Sequence, residues 1–163
     1  MPIDRLDDLD LRILSVLQTD CALSNVDLAE RVHTSPPTCL RRVKRLRDSG
    51  VIKRQIAIID HEKLGETLTA IIEVTLDRQT EEDHETFKTY ICGEHPITQC
   101  YRVSPGPDFI VIAHVANMAA YDRFARRLFT SASNIRNVRT FFSTCQYKFE
   151  ASAPVQLSLE SAQ

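Results

Sequence analysis

From Leu6 onward, apolar residues recur at intervals of three and four, the spacing of one helix face. Leu6, Leu9, Ile13, Leu14 and Leu17 predict a helix to about Gln18, with Asp7, Asp8 and Asp10 in its first turn, where negative charge meets the positive end of the helix dipole. Ser24-Asn25-Val26-Asp27 has the form of a capping box. It opens a second helix through about Val32, with Val26, Leu28, Ala29 and Val32 as its expected inner face. Ser35-Pro36-Pro37 reads as an N-cap followed by prolines in a first turn, where their missing N–H groups cost little. The third helix is expected from Pro36 to about Ser49, stopped by Gly50.

The third helix sorts its residues by face. Cys39, Leu40, Val43 and Leu46 are read as the packed side, and Thr38, Arg41, Arg42 and Arg45 as the opposite side, with Ser35 at its head. Small hydroxyls at the N-terminus allow close approach to a major groove, arginine can bridge guanine O6 and N7, and flanking bases neutralise phosphates. A lone basic helix is more often a solvated face. Here two short helices and a brief break precede it, which is a helix-turn-helix context.

Past a β-prone run and polar turn, Lys53 to Gly65, the period changes to two. Leu68, Ala70, Ile72, Val74 and Leu76 alternate with Thr69, Ile71, Glu73 and Thr75, as in a strand with distinct faces. Thr80-Glu81-Glu82-Asp83 starts a helix that buries Phe87, Tyr90 and Ile91 and ends near Gly93. Strands are expected over Ile97 to Ser104 and Phe109 to Val115, joined by the turn Ser104-Pro105-Gly106-Pro107-Asp108. Asn117 caps a helix with Tyr121, Phe124, Ala125 and Leu128 inward, and Val138 to Phe149 forms a last strand. The order βαββαβ predicts an α+β chain whose second domain is a ferredoxin-like split βαβ sandwich. Its helices cover one sheet face. Ile71, Ile110, Ile112 and Phe142 are therefore assigned to the other face, where a second copy of the sheet would bury them.

Composition agrees with a folded, soluble chain: 163 residues, 43% hydrophobic, 26% charged and four Gly. No run approaches the ~20 apolar residues of a membrane-spanning helix. The net charge of -2 argues against a nucleic-acid binder until it is resolved along the chain. Arg41, Arg42, Lys44, Arg45, Arg47, Lys53 and Arg54 face only Asp48, giving +6 over residues 41 to 54, between flanking segments of -4 each. The cysteines (Cys21, Cys39, Cys92, Cys100, Cys145) are odd in number and contain no CxxC pair, and the N-terminus lacks a secretory signal pattern, so a cytoplasmic protein with reduced thiols is expected. His33, His61, His84, His95 and His114 are scattered without ligand spacing, and no Gly-rich phosphate loop, HExxH or GxSxG occurs. Neither a metal, a cofactor nor a catalytic site is expected. An RNA-recognition reading of the βαββαβ order would need paired aromatics on the central strands, which Phe109 alone does not supply.

Leu28-Ala29, Ser35-Pro36-Pro37-Thr38-Cys39-Leu40-Arg41-Arg42-Val43-Lys44-Arg45-Leu46 and Gly50-Val51-Ile52 closely resemble the winged-helix or helix-turn-helix segment of the Lrp/AsnC (feast/famine, leucine-responsive) transcription regulators. The resemblance implies sequence-specific binding of double-stranded DNA through the third helix, at Ser35, Thr38, Arg41, Arg42, Lys44 and Arg45. Lys53 and Arg54 would lie at the edge of the footprint. It also implies a helix-turn-helix domain at 1-52, a hinge strand at 53-66, an effector-binding and dimerisation domain at 67-150 and a C-terminal tail at 151-163. Dimers that assemble to tetramers or octamers, and a pseudo-palindromic operator, follow from the same resemblance.

In that family a Gly-x-x-Asp-Tyr/Phe loop between the second and third strands helps form an amino-acid pocket between subunits. Asp108-Phe109 match its end, but Pro105 stands at the glycine and Gly106 is displaced by one. Proline has no N–H to offer a ligand carboxylate. Asp108 is carried over as partner of a ligand ammonium, and Pro105, Gly106, Met118, Phe141 and Ser143 as pocket lining; a turn-forming carboxylate remains the other reading of Asp108. Lys148-Phe149 and Pro154-Val155 resemble the family's ending, while Glu150-Ala151 departs from it. The alternative function is a small-molecule-binding module or enzyme whose N-terminal helices dock a protein partner.

Overall fold

The computed structural model describes residues 6–60, 63, 65, 67–131 and 134–153. The chain divides into two compact units, one built from Met1–Ile58 and Lys148–Gln163, the other from Ile59–Tyr147.

The first unit holds α1 (Asp8–Thr19), α2 (Asn25–Arg31) and α3 (Pro36–Asp48). A reciprocal capping box starts α1: the Asp10 N–H donates to Asp7 Oδ1 at 3.0 Å and the Asp7 N–H to Asp10 Oδ2 at 3.1 Å. Ser24 caps α2 by accepting from the Asp27 N–H. The turn into α3 is a Schellman closure, with Thr34 N–H donating to Ala29 O and His33 N–H to Glu30 O. Such a closure needs a left-handed residue, and His33 takes that role at φ 55° in place of the usual glycine. Asn25 Nδ2 donates to Pro36 O at 2.9 Å and so ties the start of α2 to the start of α3. Ile13, Leu28, Ala29, Val32, Cys39, Val43 and Leu46 form the core. Two expected core residues are not in it: Val26 is 61% exposed and Leu40 60%. Each lies on the flank of its helix stripe, and three short helices cannot wrap that far round one another.

No regular strand forms at 53–60, where Ile56, Ile58 and Ile59 are exposed; the expected hinge strand has no partner in a single chain, and residues 61, 62, 64 and 66 lie outside the described set. Ala151 and Ala153 lie with Leu6, Leu14, Leu17, Ile52 and Ile56 around a shallow groove, and the Ala153 N–H donates to Gln18 Oε1 at 2.8 Å. Pro154 and Val155 are outside the described residues.

The second unit runs β1 (Leu68–Leu76), α4 (Glu81–Cys92), β2 (Ile97–Arg102), β3 (Phe109–Val115), α5 (Met118–Ser131) and β4 (Ile135–Phe142). Sheet order is β2-β3-β1-β4 with every neighbouring pair antiparallel, the expected ferredoxin-like arrangement. Ala70, Ile72, Val74, Leu76, Phe109, Val111 and Ala113 face Phe87 and Ile91 of α4 and Phe124 and Leu128 of α5. Tyr90 is more exposed than its helix position suggested, and its hydroxyl donates to Leu128 O at 3.2 Å, bridging the two helices.

Two expectations for the last strand change. It begins at Ile135 and stops at Phe142 rather than spanning Val138 to Phe149. Phe142 pairs with Ala70 and packs edge-on to Tyr121, which puts it on the helix-covered face; Phe141, opposite Ile71, takes the open one. A strand alternates strictly, so a single register fixes which of two adjacent phenylalanines is outside. The open face carries Ile71, Ile110, Ile112, Tyr101 and Phe141 around a Glu73–Arg139 ion pair of 2.6 Å and a Thr69–His114 hydrogen bond of 3.1 Å.

Candidate nucleic-acid interface

Helix α3 turns Cys39, Val43 and Leu46 inward. Its N-cap Ser35 has the extended backbone of a cap, and its hydroxyl donates to Thr38 Oγ1 at 2.9 Å. The N-terminus of the helix is thus lined by small hydroxyls beside Pro36 and Pro37. Arg41 and Lys44 are exposed and form no ion pair with another described residue. Lys53 and Arg54, just after the helix exit, are exposed as well. Arg47 donates to Gln55 Oε1 at 2.7 Å, which ties the end of α3 to the chain that leaves it.

Arg42 and Arg45 behave differently from Arg41. The Arg42 guanidinium lies 2.6 Å from Asp7 Oδ2 and 3.3 Å from Asp10 Oδ2, and its side chain is only 22% exposed. Arg45 Nη2 pairs with the same Asp10 oxygen, and the Asp10 side chain has no exposure at all. Arg42 therefore sits beside the inner stripe, against α1, and not on the outer face assigned to it. The spacing carries that signal: Arg42 follows Cys39 by three residues and precedes Leu46 by four, which places it on the shoulder of the buried side. The carboxyl of Asp7 is held below its ordinary value by the Asp10 N–H and then by Arg42, and the Arg42 guanidinium is raised in turn by Asp7. With Asp7 and Asp10 lying against it, the +6 of residues 41 to 54 falls locally to +4.

The residues carried over as effector-binding fall into two groups within one subunit. Pro105, Gly106 and Asp108 share the turn between β2 and β3, where the Ser104–Pro105 peptide is cis and Gly106 has φ 124°. Only glycine adopts that last conformation readily. Asp108 lies at the end of β1: Oδ2 accepts the Leu76 N–H at 2.7 Å and Gln79 Nε2 at 3.2 Å, and its own N–H donates to Val74 O. The Leu76 amide is available because the β1–β3 ladder ends at the Val74–Phe109 pair. His84, read in the sequence only as one of five scattered histidines, is buried in α4 and sets Nε2 3.5 Å from Asp108 Oδ1, with its ring edge-on to Phe109. Its helical spacing from Phe87 and Ile91 was the available signal.

Ser143 sits at the other end of β1, its N–H donating to Thr69 O. Phe141 and Met118 are exposed, 46% and 55%, and Met118 begins α5 just after β3 passes Leu68. Seven residues of strand separate Thr69 from Leu76, roughly 23 Å at a strand's rise. A single subunit does not bring these two groups together.

A helix-turn-helix unit with a basic third helix, joined to a ferredoxin-like unit with one uncovered sheet face, defines a DNA-binding regulator with a separate sensing module. The winged helix-turn-helix DNA-binding model matches residues 6–53 and the Lrp/AsnC ligand-binding domain model residues 69–153. The chain is 32% identical over 151 residues to the DNA-binding transcriptional activator DecR of Escherichia coli, covering 93% of this chain and 99% of that protein. It is 34% identical over 143 residues to the leucine-responsive regulatory protein of Rhizobium meliloti, covering 88% and 92%. A transcriptional regulator from Neisseria meningitidis solved as an L-Met complex superposes with a TM-score of 0.84 at 30% identity, covering 95% of this chain and all of that one. The chain belongs to the Lrp/AsnC family: it is a DNA-binding transcriptional regulator with an effector-binding domain, not an enzyme. No helix among the described residues is long and apolar enough to cross a membrane.

Proposed function

We propose that α3 reads an operator in the major groove, with Ser35, Thr38, Arg41 and Lys44 facing the bases and nearest phosphates. Lys53 and Arg54 neutralise flanking phosphates, while Arg42 and Arg45, paired with Asp7 and Asp10, brace α3 against α1. The observation that carries this is that Arg41 and Lys44 are exposed, with no ion pair among the described residues, beside a helix N-terminus of small hydroxyls. Since its target is DNA, the protein acts in the cytoplasm.

Two copies joined through the open sheet face present α3 twice, which calls for a pseudo-palindromic operator; tetramers or octamers of such dimers extend the array. Ile71, Ile110, Ile112 and Phe141 support that interface, since an uncovered apolar patch gains most from a second copy. The effector is an amino acid held between subunits, where the β2–β3 turn of one copy meets the Met118–Ser143 end of another. Separation of these two groups within one subunit supports a shared pocket. A ligand held there shifts the balance between assemblies that differ in DNA affinity.

The test is a gel shift on the DNA upstream of the protein's own gene. Arg41→Ala is expected to weaken binding by about 1–3 kcal/mol, with affinity that falls steeply as salt rises. Binding that ignores salt, or survives Arg41→Ala together with Lys44→Ala unchanged, overturns the assignment of α3. Adding each standard amino acid to the shift tests the effector. No response to any of them would mean that Pro105 and the inward Asp108 have removed the family pocket.

A further inference from the structure

Asp10 is a fully buried carboxylate in the first turn of a surface helix, and burying an ion costs several kcal/mol unless it is compensated. Compensation comes from α3. Arg42 Nη1 reaches both Asp10 oxygens, at 3.3 and 3.4 Å, Arg45 Nη2 reaches Oδ2, and the Asp7 N–H closes the remaining side. Asp7 Oδ2 takes Arg42 again at 2.6 Å. Two acids of α1 thus meet two bases of α3 in a neutral cluster. A core of small and medium side chains does not require such a cluster; apolar residues of similar volume often serve a fold as well or better.

We propose that Asp7 and Asp10 form a specificity-determining clamp: they neutralise Arg42 and Arg45, so that α3 offers DNA only the cations placed to read it, and they fix the rotation of α3 against α1. This rests on the reading of α3 as the DNA-facing helix. Affinity for arbitrary duplex comes from phosphate neutralisation and counterion release, with roughly 0.9 in log-log salt slope per phosphate engaged. A guanidinium held by a carboxylate releases no counterion when DNA arrives. Each pair in the clamp therefore lowers binding to any sequence, whereas contacts of Arg41 and Thr38 with base edges are untouched or better aimed. Asp7 and Asp10 act through the arginines and are positioning residues; they do not touch DNA.

The experiment compares full-length wild type, Asp10→Asn and Asp7→Asn on two duplexes: the segment protected by wild type upstream of its own gene, and poly(dI-dC). Affinity is measured from about 50 to 200 mM salt, the range over which phosphate contacts separate. Asp10→Asn is expected to steepen the salt slope by about one, for the freed Arg45 guanidinium, and to cut the ratio of specific to non-specific affinity about tenfold. Asp7→Asn, exposed enough to be tolerated, changes both in the same direction by less. Adding Arg45→Gln to Asp10→Asn returns about one unit of slope, which a merely structural role for Asp10 would not do. Unchanged slope and ratio in both single variants overturn the clamp, as does a parallel loss on both duplexes at constant slope. If Asp10→Asn does not fold, Asp7→Asn decides alone. Failure of wild type to bind either duplex in a salt-dependent way is separate: it removes the DNA-reading role of α3 itself.

Discussion

The two units solve the problem of holding a functional surface in opposite ways. In the helical unit, seven buried residues among those described form a core between three short helices, and the basic third helix is tied to the first by charge: Asp7 and Asp10 on one side, Arg42 and Arg45 on the other. In the sheet unit, α4 and α5 lie on a four-stranded sheet whose central strands, β1 and β3, carry the fully buried side chains, and the Asp108 carboxylate anchors the β2–β3 turn to the end of β1. A sheet ladder positions its loops through backbone hydrogen bonds, so one side chain suffices to finish a turn. Three helices share no backbone hydrogen bonds of that kind. Their relative rotation must come from side chains, and long charged ones reach furthest.

The largest expected effect tests whether the two cores are separate. Ile72→Ala should cost about 2–5 kcal/mol in the sheet unit, and Ile13→Ala a similar sum in the helical one, both residues having no exposure. In calorimetry each should lower one transition and leave the other; one transition moved by both substitutions breaks the comparison. Next in size, Asp108→Ala leaves the nearly buried Leu76 amide without its acceptor, for a loss of about 1–3 kcal/mol. Hydrogen exchange should show it as faster exchange at Leu76 and in the β2–β3 turn, with α1 to α3 unaffected.

A gain is expected at His33. Its φ of 55° carries a penalty that glycine does not, so His33→Gly should raise the midpoint of the helical unit's unfolding, by about 1 kcal/mol in stability. No change in urea titration would mean that the histidine side chain repays its strain through contacts. The smallest effect is on pH. Asp7 in the first unit and Asp83 in the second both have lowered pKa values, Asp7 from the Asp10 N–H and then Arg42, Asp83 from the Thr80 hydroxyl and then Arg78. A carboxyl depressed in the folded state contributes stability above its unfolded value of about 3.9 and loses it as pH falls through the lower folded value. Both units should therefore weaken only below about pH 4, and Asp7→Asn should flatten that dependence in the helical unit alone.

Most of the architecture is legible in the sequence because it is written in period and punctuation. The switch from three-four spacing to strict alternation at Leu68 marks the passage from helices to sheet, Ser24, Ser35, Thr80 and Asn117 mark helix starts, and β3 runs from Phe109 to Val115 as alternation predicts. Failures come where faces must be assigned at the margin. Leu40 and Val26 are apolar at the edge of a stripe, and nothing local says how far a neighbouring helix extends. Phe141 and Phe142 are chemically the same; only the register with Ala70 and Ile71 distinguishes them. The hinge run of isoleucines has strand propensity without a strand, because a strand exists only when something pairs with it.

The sequence alone determined a basic helix after two short ones, a βαββαβ unit to follow, and charge gathered at residues 41 to 54. Tertiary structure alone decided which of those charges are free. Charge along a chain is a local sum, whereas its availability to DNA depends on what lies within a few ångströms, and Asp10 is thirty-two residues from Arg42 in sequence. The same holds for Asp108, a candidate ligand partner by motif whose carboxylate is held inside its own subunit by the Leu76 amide and Gln79. Periodicity reports what is buried, since burial repeats with the backbone; the partners of polar groups follow from how elements pack, and no repeat encodes that.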